Sequence, residues 1–293
     1  MKPFTYLPLP ALALATSLFV SSVLSHPGNN PHALRPDTPA AAAGFPPEED
    51  KYFQEPGATE ILGHYDARYY HGLVPYDEHR VVLRHLIRSY LTIMKDLGIE
   101  TWLAHGTLLG WWWNGRIMPW DYDLDVQVSH QTLFYLAANH NRTMHEYTFI
   151  DDDATGDQQT KTYLLDINPH HADMGRAQGQ NVIDGRWIDT SNGMFIDITG
   201  LAERDPQHSP GVWSCKNFHR YRTRDLYPMR VTEFEGVEAR IPYNFESVLI
   251  SEYGRKSLIM TQWEGHRWDA DYKEWIRIEA NDHDEPVMMR PGW

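Results

Sequence analysis

The clearest periodic signal in the chain lies between Asp77 and Leu97. Val82, Leu86, Tyr90, Ile93 and Leu97 recur there at the spacing of one helix face. The spacing predicts a helix that starts at Asp77 or Glu78, is capped by Asp77 and ends at Gly98. Thr101-Trp-Leu-Ala104 then reads as a short strand delivering a tight turn at Gly106-Thr107. Further on the period drops to two. Asp121, Asp123 and Asp125 alternate with Tyr122, Leu124 and Val126, so an extended segment shows one charged face and one core face. Ser129 is placed to cap a second helix running through Asn139. Trp187–Thr190 and Gly193–Thr199 read as strand, with Asp197 between Ile196 and Ile198, and Pro242–Tyr253 reads as a further helix. The long polar stretch Asp151–Gln180 has weak periodicity and is expected to be an irregular insertion over or beside the site, carrying acceptor specificity.

The N-terminal pattern concerns compartment. Lys2 precedes an apolar run from Tyr6 to Leu24, and Val23-Leu-Ser25 suits a signal peptidase. Residues 1–25 are therefore expected to be a signal peptide or signal anchor, since the run approaches the roughly 20 residues needed to span a bilayer. Residues 26–51, rich in Pro, Ala and Asn, read as a flexible stem, and 52–293 as the folded domain. The expected location is the secretory pathway, in the Golgi lumen with membrane anchoring or secreted. The sequon Asn141-Arg-Thr143 agrees with a lumenal domain.

Composition narrows the picture. At 293 residues with 42% hydrophobic positions the chain can bury the core of one enzyme domain, and a net charge of −14 argues against nucleic acid as a partner. The single cysteine, Cys215, excludes an intrachain disulfide. Cys215 and His219 form half of a zinc site that His170, His171 or His208 would have to complete; solvated or hydrogen-bonded histidines are the simpler reading.

The aspartates carry the chemistry. Three negative charges on one strand face repel one another unless cations neutralise them, and Mg2+ or Mn2+ prefers such oxygen ligands. Asp123 and Asp125 are the expected ligands, with Asp197 as the third. A calcium loop starting at Asp121 would need Gly at its sixth position and Glu at its twelfth, where this chain has Val126 and Thr132.

His105-Gly-Thr-Leu-Leu-Gly110, Pro119-Trp-Asp-Tyr-Asp-Leu-Asp-Val126 and Phe195-Ile-Asp-Ile198 together resemble the LicD family, whose domain also occurs in fukutin, fukutin-related and fungal mannosylphosphate-transfer proteins. The resemblance continues through Leu226-Tyr-Pro228, Phe234-Glu-Gly236, Ile241-Pro-Tyr-Asn244 and Leu249 to Tyr253-Gly254, covering about Val81 to Trp275. It implies an α+β, nucleotidyltransferase-like fold, a small mixed sheet flanked by helices with irregular insertions. It also implies that Asp123, Asp125 and Asp197 bind metal. Bacterial phosphocholine-transfer members commonly carry Arg where this chain has Trp113. Trp111-Trp-Trp-Asn-Gly115 looks instead like the fungal branch, with Arg116 a candidate for the missing positive charge. The stacked tryptophans read as core before ligand platform.

These expectations combine into metal-assisted phosphoryl transfer. Asp123 and Asp125 hold Mg2+ or Mn2+ against the pyrophosphate of a nucleotide-diphospho donor, of GDP-mannose or CDP-alcohol type. Backbone N–H groups of Gly106 and Thr107 approach its oxygens, with His105 and Arg116 as further donor-binding candidates. Asp197 helps deprotonate a glycan hydroxyl and Asp121 supports the ligands from behind. Attack at the distal phosphorus releases a nucleoside monophosphate; mannosylphosphate is the favoured group. The alternatives are an Asp-x-Asp glycosyltransferase, which releases a diphosphate, and a non-catalytic regulator or helper of a glycan phosphotransferase.

Overall fold

The computed structural model describes residues 50–150, 157–175 and 179–278. The expected signal segment and nearly all of the stem lie outside them, as does the tail beyond Ile278. Among the described residues no helix is long and apolar enough to cross a membrane.

Helix α1 spans Tyr76–Asp96 and begins without a side-chain cap; Asp77 and Glu78 instead occupy its first turn, where acidic groups meet the positive end of the helix dipole. Its buried stripe is Leu83, Leu86, Ile87, Tyr90 and Met94, one position round from the predicted face, with Val82 and Ile93 at its margin and Leu97 exposed. The helix stops as expected at Gly98, in the left-handed region at φ +68°. There the Gly98 N–H donates to Lys95 O and the Ile99 N–H to Met94 O, the paired bonds of a Schellman end.

Strand β1 (Trp102–Leu103) pairs antiparallel with β2 (Asp125–Ser129). Helix α2 (His105–Asn114) lies between them, and α3 (His130–Asn139) follows β2, its first turn closed by Ser129 Oγ accepting the Thr132 N–H at 3.0 Å. A long hairpin, β3 (Thr143–Ile150) with β4 (Gln158–Ile167), leads to β5 (Gly185–Asp189) and β6 (Phe195–Glu203). The strand order is β1-β2-β6-β5-β4-β3, and among the described residues only β2 and β6 run parallel. Strands β7 (Val212–Ser214) and β8 (Arg220–Arg222) extend this sheet from the far end of β6.

The expected irregular insertion is corrected in part. Within Asp151–Gln180, residues Gln158–Ile167 form β4, well inside the sheet. Its first three residues are exposed and its last five are buried on both faces, so no alternation runs along its length.

Short helix α4 (Thr223–Leu226) leads to the hairpin β9 (Arg230–Phe234) and β10 (Val237–Ile241), then to α5 (Phe245–Tyr253) and the small antiparallel sheet β11 (Gln262–Trp263), β12 (His266–Asp269) and β13 (Glu274–Arg277). The β9–β10 turn is Glu235-Gly236, both at positive φ, as a two-residue primed turn requires. The triple tryptophan lies on α2 and is packing, as expected. Trp111 and Trp112 pack on Phe245, and Trp113 packs between Trp268 and Trp275. Each indole N–H is also satisfied, by Thr232 Oγ1, Leu258 O and Ser257 O in turn.

Candidate functional site

Register brings the charged residues into one row. Asp125 of β2 pairs with Asp197 of β6, Asp197 pairs with Arg186 of β5, and Arg186 pairs with Asp166 of β4. Direct cross-strand neighbours share a face, so the four side chains form a polar line across one face of the sheet. The Leu124–Val126 and Ile196–Ile198 pairs belong to the opposite, buried face.

Strand β2 begins only at Asp125, so Asp121 and Asp123 lie in the loop that enters it, and the three-aspartate strand is corrected to a loop with one strand residue. The carboxylates still converge. Asp121 is raised well above its ordinary carboxyl range, first by burial, then by the charge and hydrogen bond of Asp123. Burial, opposed by His105, and then the charges of Asp123, Asp197 and Glu252 push Asp125 up to about 8. Asp197 is also raised by burial, against the pull of Arg186.

The Gly-Thr turn is corrected as well. Gly106 and Thr107 form the first turn of α2, with His105 at its start in the left-handed region (φ +48°). No side chain caps this helix, which leaves N-terminal backbone N–H groups facing outward. Thr107 Oγ1 accepts the Asp125 N–H at 2.9 Å and so ties the helix to the start of β2. A Cβ at 106 would stand 2.9 Å from Asp121 Oδ2, so a side chain there would push the Asp121 carboxylate aside. Asp121 therefore sits against the helix N-terminus.

His105 is buried. Its Nδ1 is 3.0 Å from Glu252 Oε2, and Glu252 Oε1 accepts the Tyr221 hydroxyl at 2.7 Å. Burial works against the charged ring, but Glu252, with Asp125 and Asp123 behind it, outweighs burial and raises its pKa. The Tyr253 hydroxyl is raised by burial, then by the charges of Glu252, Asp125, Asp121 and Asp123. Arg116 pairs with Glu274 of β13.

Four contributors carry no signal of their own in the sequence. Glu252 and Tyr253 lie in a block that carried the family resemblance but not in its aspartate motifs. Gln127, the polar member of Val126-Gln-Val128, continues the odd-numbered face of Asp125 and lies 3.4 Å from His105 Nε2. Arg186, hidden in an apolar run, lies beside Asp197, with its Nε 2.9 Å from Asp197 Oδ1.

An all-oxygen, mutually repelling donor set suits a hard divalent ion, which makes Asp123 and Asp125 chemically suited to Mg2+ or Mn2+. Among the described residues no three His, Cys, Asp or Glu side chains are arranged to hold a metal ion, and Asp197 Oδ1 is taken by Arg186. The fit is one of donor chemistry. The candidate zinc set does not assemble either. Cys215 Sγ is 3.5 Å from His219 Nδ1, but His208 pairs with Asp205 and His171 Nδ1 lies against Asn168 O.

A cleft of about 440 Å3 opens beside Asp197 and Arg186, between the segment from Lys51 to Gly63 and the residues Asn168 and Gly179–Ile183. The end of the polar stretch singled out in the sequence thus borders the site.

A mixed sheet with a parallel Asp125–Asp197 pair and an uncapped helix N-terminus alongside defines a nucleotidyltransferase-like domain. Residues 98–244, half of the chain, match the family described as LicD/FKTN/FKRP, nucleotidyltransferase domain, and the chain belongs to that LicD family. It is 34% identical over 164 residues to mannosyltransferase regulator 4 of Saccharomyces cerevisiae, covering 54% of this chain and 13% of that protein. Mannosyltransferase regulator 14 of the same yeast is 33% identical over 184 residues, 60% of this chain and 19% of that protein. The chain thus spans less than a fifth of either relative.

Proposed function

We propose that this chain is a metal-dependent phosphotransferase of the LicD type, moving a phospho-sugar or phospho-alcohol from a nucleotide-diphospho donor to a glycan acceptor in the secretory pathway. Mannosylphosphate is the favoured group. The observation that carries the reading is the convergence of Asp121, Asp123, Asp125 and Asp197 in one place: burial first, then neighbouring carboxylates, raises the carboxyls of Asp121, Asp125 and Asp197, which marks a place for cationic charge.

Asp123 and Asp125 would hold Mg2+ or Mn2+, with Asp197 within charge range. A bound ion would offset the charge of a donor pyrophosphate and of the phosphoryl group in flight. The chain's own groups do the rest. Backbone N–H groups at the start of α2, at Gly106 and Thr107, offer donors to phosphate oxygens. His105, kept protonated more readily by Glu252, adds positive charge beside them. Asp197 accepts the proton of the attacking hydroxyl; the hydroxyl oxygen bonds to the distal phosphorus as the bridging P–O bond breaks, and a nucleoside monophosphate leaves. Arg116, paired with Glu274 at the surface, is the further cationic candidate for donor binding.

The names of the two yeast relatives favour a second reading, a regulator of a mannosyltransferase that binds glycan or partner without transfer. Incubating the full chain with Mn2+, a mannan-type acceptor and a panel of nucleotide-diphospho donors, and identifying the released nucleotide, separates the readings. Acceptor-dependent monophosphate supports phosphotransfer. Diphosphate means glycosyl transfer, and no release from any donor supports the regulator.

A further inference from the structure

We propose that the cleft beside Asp197 binds a hydroxyl group of a neutral glycan, held between the free Nη1 of Arg186 and the Asp197 carboxylate; this rests on the reading that the second substrate is a glycan. The side chain of Arg186 is only 4% exposed. Its Nε donates to Asp197 Oδ1 at 2.9 Å and its Nη2 to Glu55 Oε1 at 2.7 Å. Its guanidinium lies 3.6 Å from the Phe195 ring centroid and 4.7 Å from that of Phe53. The group is thus fixed on both sides and along one edge. Nη1 remains, buried and without a hydrogen-bond partner, on a residue that lines the cleft. Buried donors in folded proteins are nearly always satisfied, so an orphan N–H at a cavity wall points to an oxygen that comes from outside.

The charge balance of the wall selects the kind of oxygen. Arg186 and Lys51 are matched by Asp197 and Glu55, and Lys51 itself pairs with Glu55. A phosphate or carboxylate entering here would face two carboxylates with both cations already engaged. A hydroxyl does not meet that repulsion, and it alone can both accept from Arg186 and donate to Asp197. The volume, about 440 Å3, falls within the roughly 300–1,000 Å3 of small-ligand sites. Phe53, Val182 and Ile183 supply the apolar part of the wall. Asp197 is also the residue placed to take the proton of the attacking hydroxyl, so this site would deliver that hydroxyl to the aspartate cluster.

The test is calorimetric binding of α-mannotriose to the full chain, with inorganic phosphate as competitor. Two variants are used: Arg186→Lys, which removes the fork, and Gly63→Phe, which fills the cleft from a position where a Cβ meets nothing within 4 Å. Mannotriose should bind, phosphate should not displace it, and both variants, folded by circular dichroism, should weaken its Kd tenfold or more. Absence of mannotriose binding, its displacement by phosphate, or wild-type affinity in the folded Gly63→Phe variant would overturn the proposal. Glycan binding in the cleft without nucleotide release keeps this site and discards transfer. Transfer with an unchanged acceptor KM in Gly63→Phe does the reverse.

Discussion

Asp125 and Asp197 face each other across the parallel β2–β6 pair of the main sheet. That pairing places two carboxylates from segments more than seventy positions apart on the same face, with Arg186 as the next neighbour in the row. It concentrates negative charge at the edge of α2 and leaves a single guanidinium to temper it.

The apo protein should be limited in stability by this crowding. Asp125 is raised to about 8, so its ionised form is disfavoured in the fold. Below the ordinary carboxyl pKa the group is protonated folded or unfolded and has no effect. As pH rises from about 4 towards 8 the unfolded chain releases the proton first, and stability falls. Asp125→Asn should therefore unfold at a higher temperature than wild type at pH 8, by about 1–2 kcal/mol in the presence of chelator, the gain being limited by partial solvent access. The difference should vanish near pH 4, and thermal melts at both values check it.

Much of this arrangement was legible in the sequence. The first helix, its glycine end, the Ser129 cap and the β9–β10 turn follow from local patterns, because spacing and turn chemistry act within a few residues. The aspartates themselves were legible, yet their setting was not. Asp121 and Asp123 were read as strand because alternation cannot distinguish a strand from an extended loop entering one. Gly106-Thr107 was read as a turn because an apolar α2 with an uncapped start carries no start signal. Strand β4 was missed because its two halves have opposite burial. Arg186 and Glu252 gain their roles from cross-strand and helix packing, which no local pattern encodes.

His105 and Glu252 form a pair with its own pH signature. The His105 pKa is raised, so its contribution is complete below the unfolded value and is lost as pH rises through the folded one. Glu252 is lowered: burial pushes it up, but His105 and Tyr221 outweigh that, so its contribution is lost as pH falls through its own depressed value. Glu252→Gln should lower the pKa of the His105 ring protons followed by NMR. A titration unchanged by the substitution would mean the pair does not form in solution.

Helix α2 packs too closely for a side chain at Gly110, where a Cβ would come within 2.4 Å of Arg116 O, a backbone atom. Gly110→Ala should cost about 1–3 kcal/mol by overpacking despite the better helix propensity of alanine. Urea unfolding measures it, and an unchanged midpoint would contradict this packing.

Lys216 is fully buried, with its Nζ 2.9 Å from Asp184 Oδ1, and it donates to His170 O at 2.7 Å and Asn181 O at 3.1 Å. It thereby ties Asn181, which lines the cleft, to the turn between β7 and β8. Lys216→Met removes the partner of a buried carboxylate and should destabilise by about 3–5 kcal/mol. The same variant should raise the acceptor KM more than it lowers kcat, which steady-state kinetics under stabilising conditions would reveal.

Phosphotransfer is tested most directly by following the phosphorus. With GDP-mannose labelled at the β-phosphorus, Mn2+ and a mannan-type acceptor, the full chain should move the label to the acceptor together with mannose and leave GMP. Asp125→Asn should move none. Mannose arriving at the acceptor while the label stays in GDP would contradict the account.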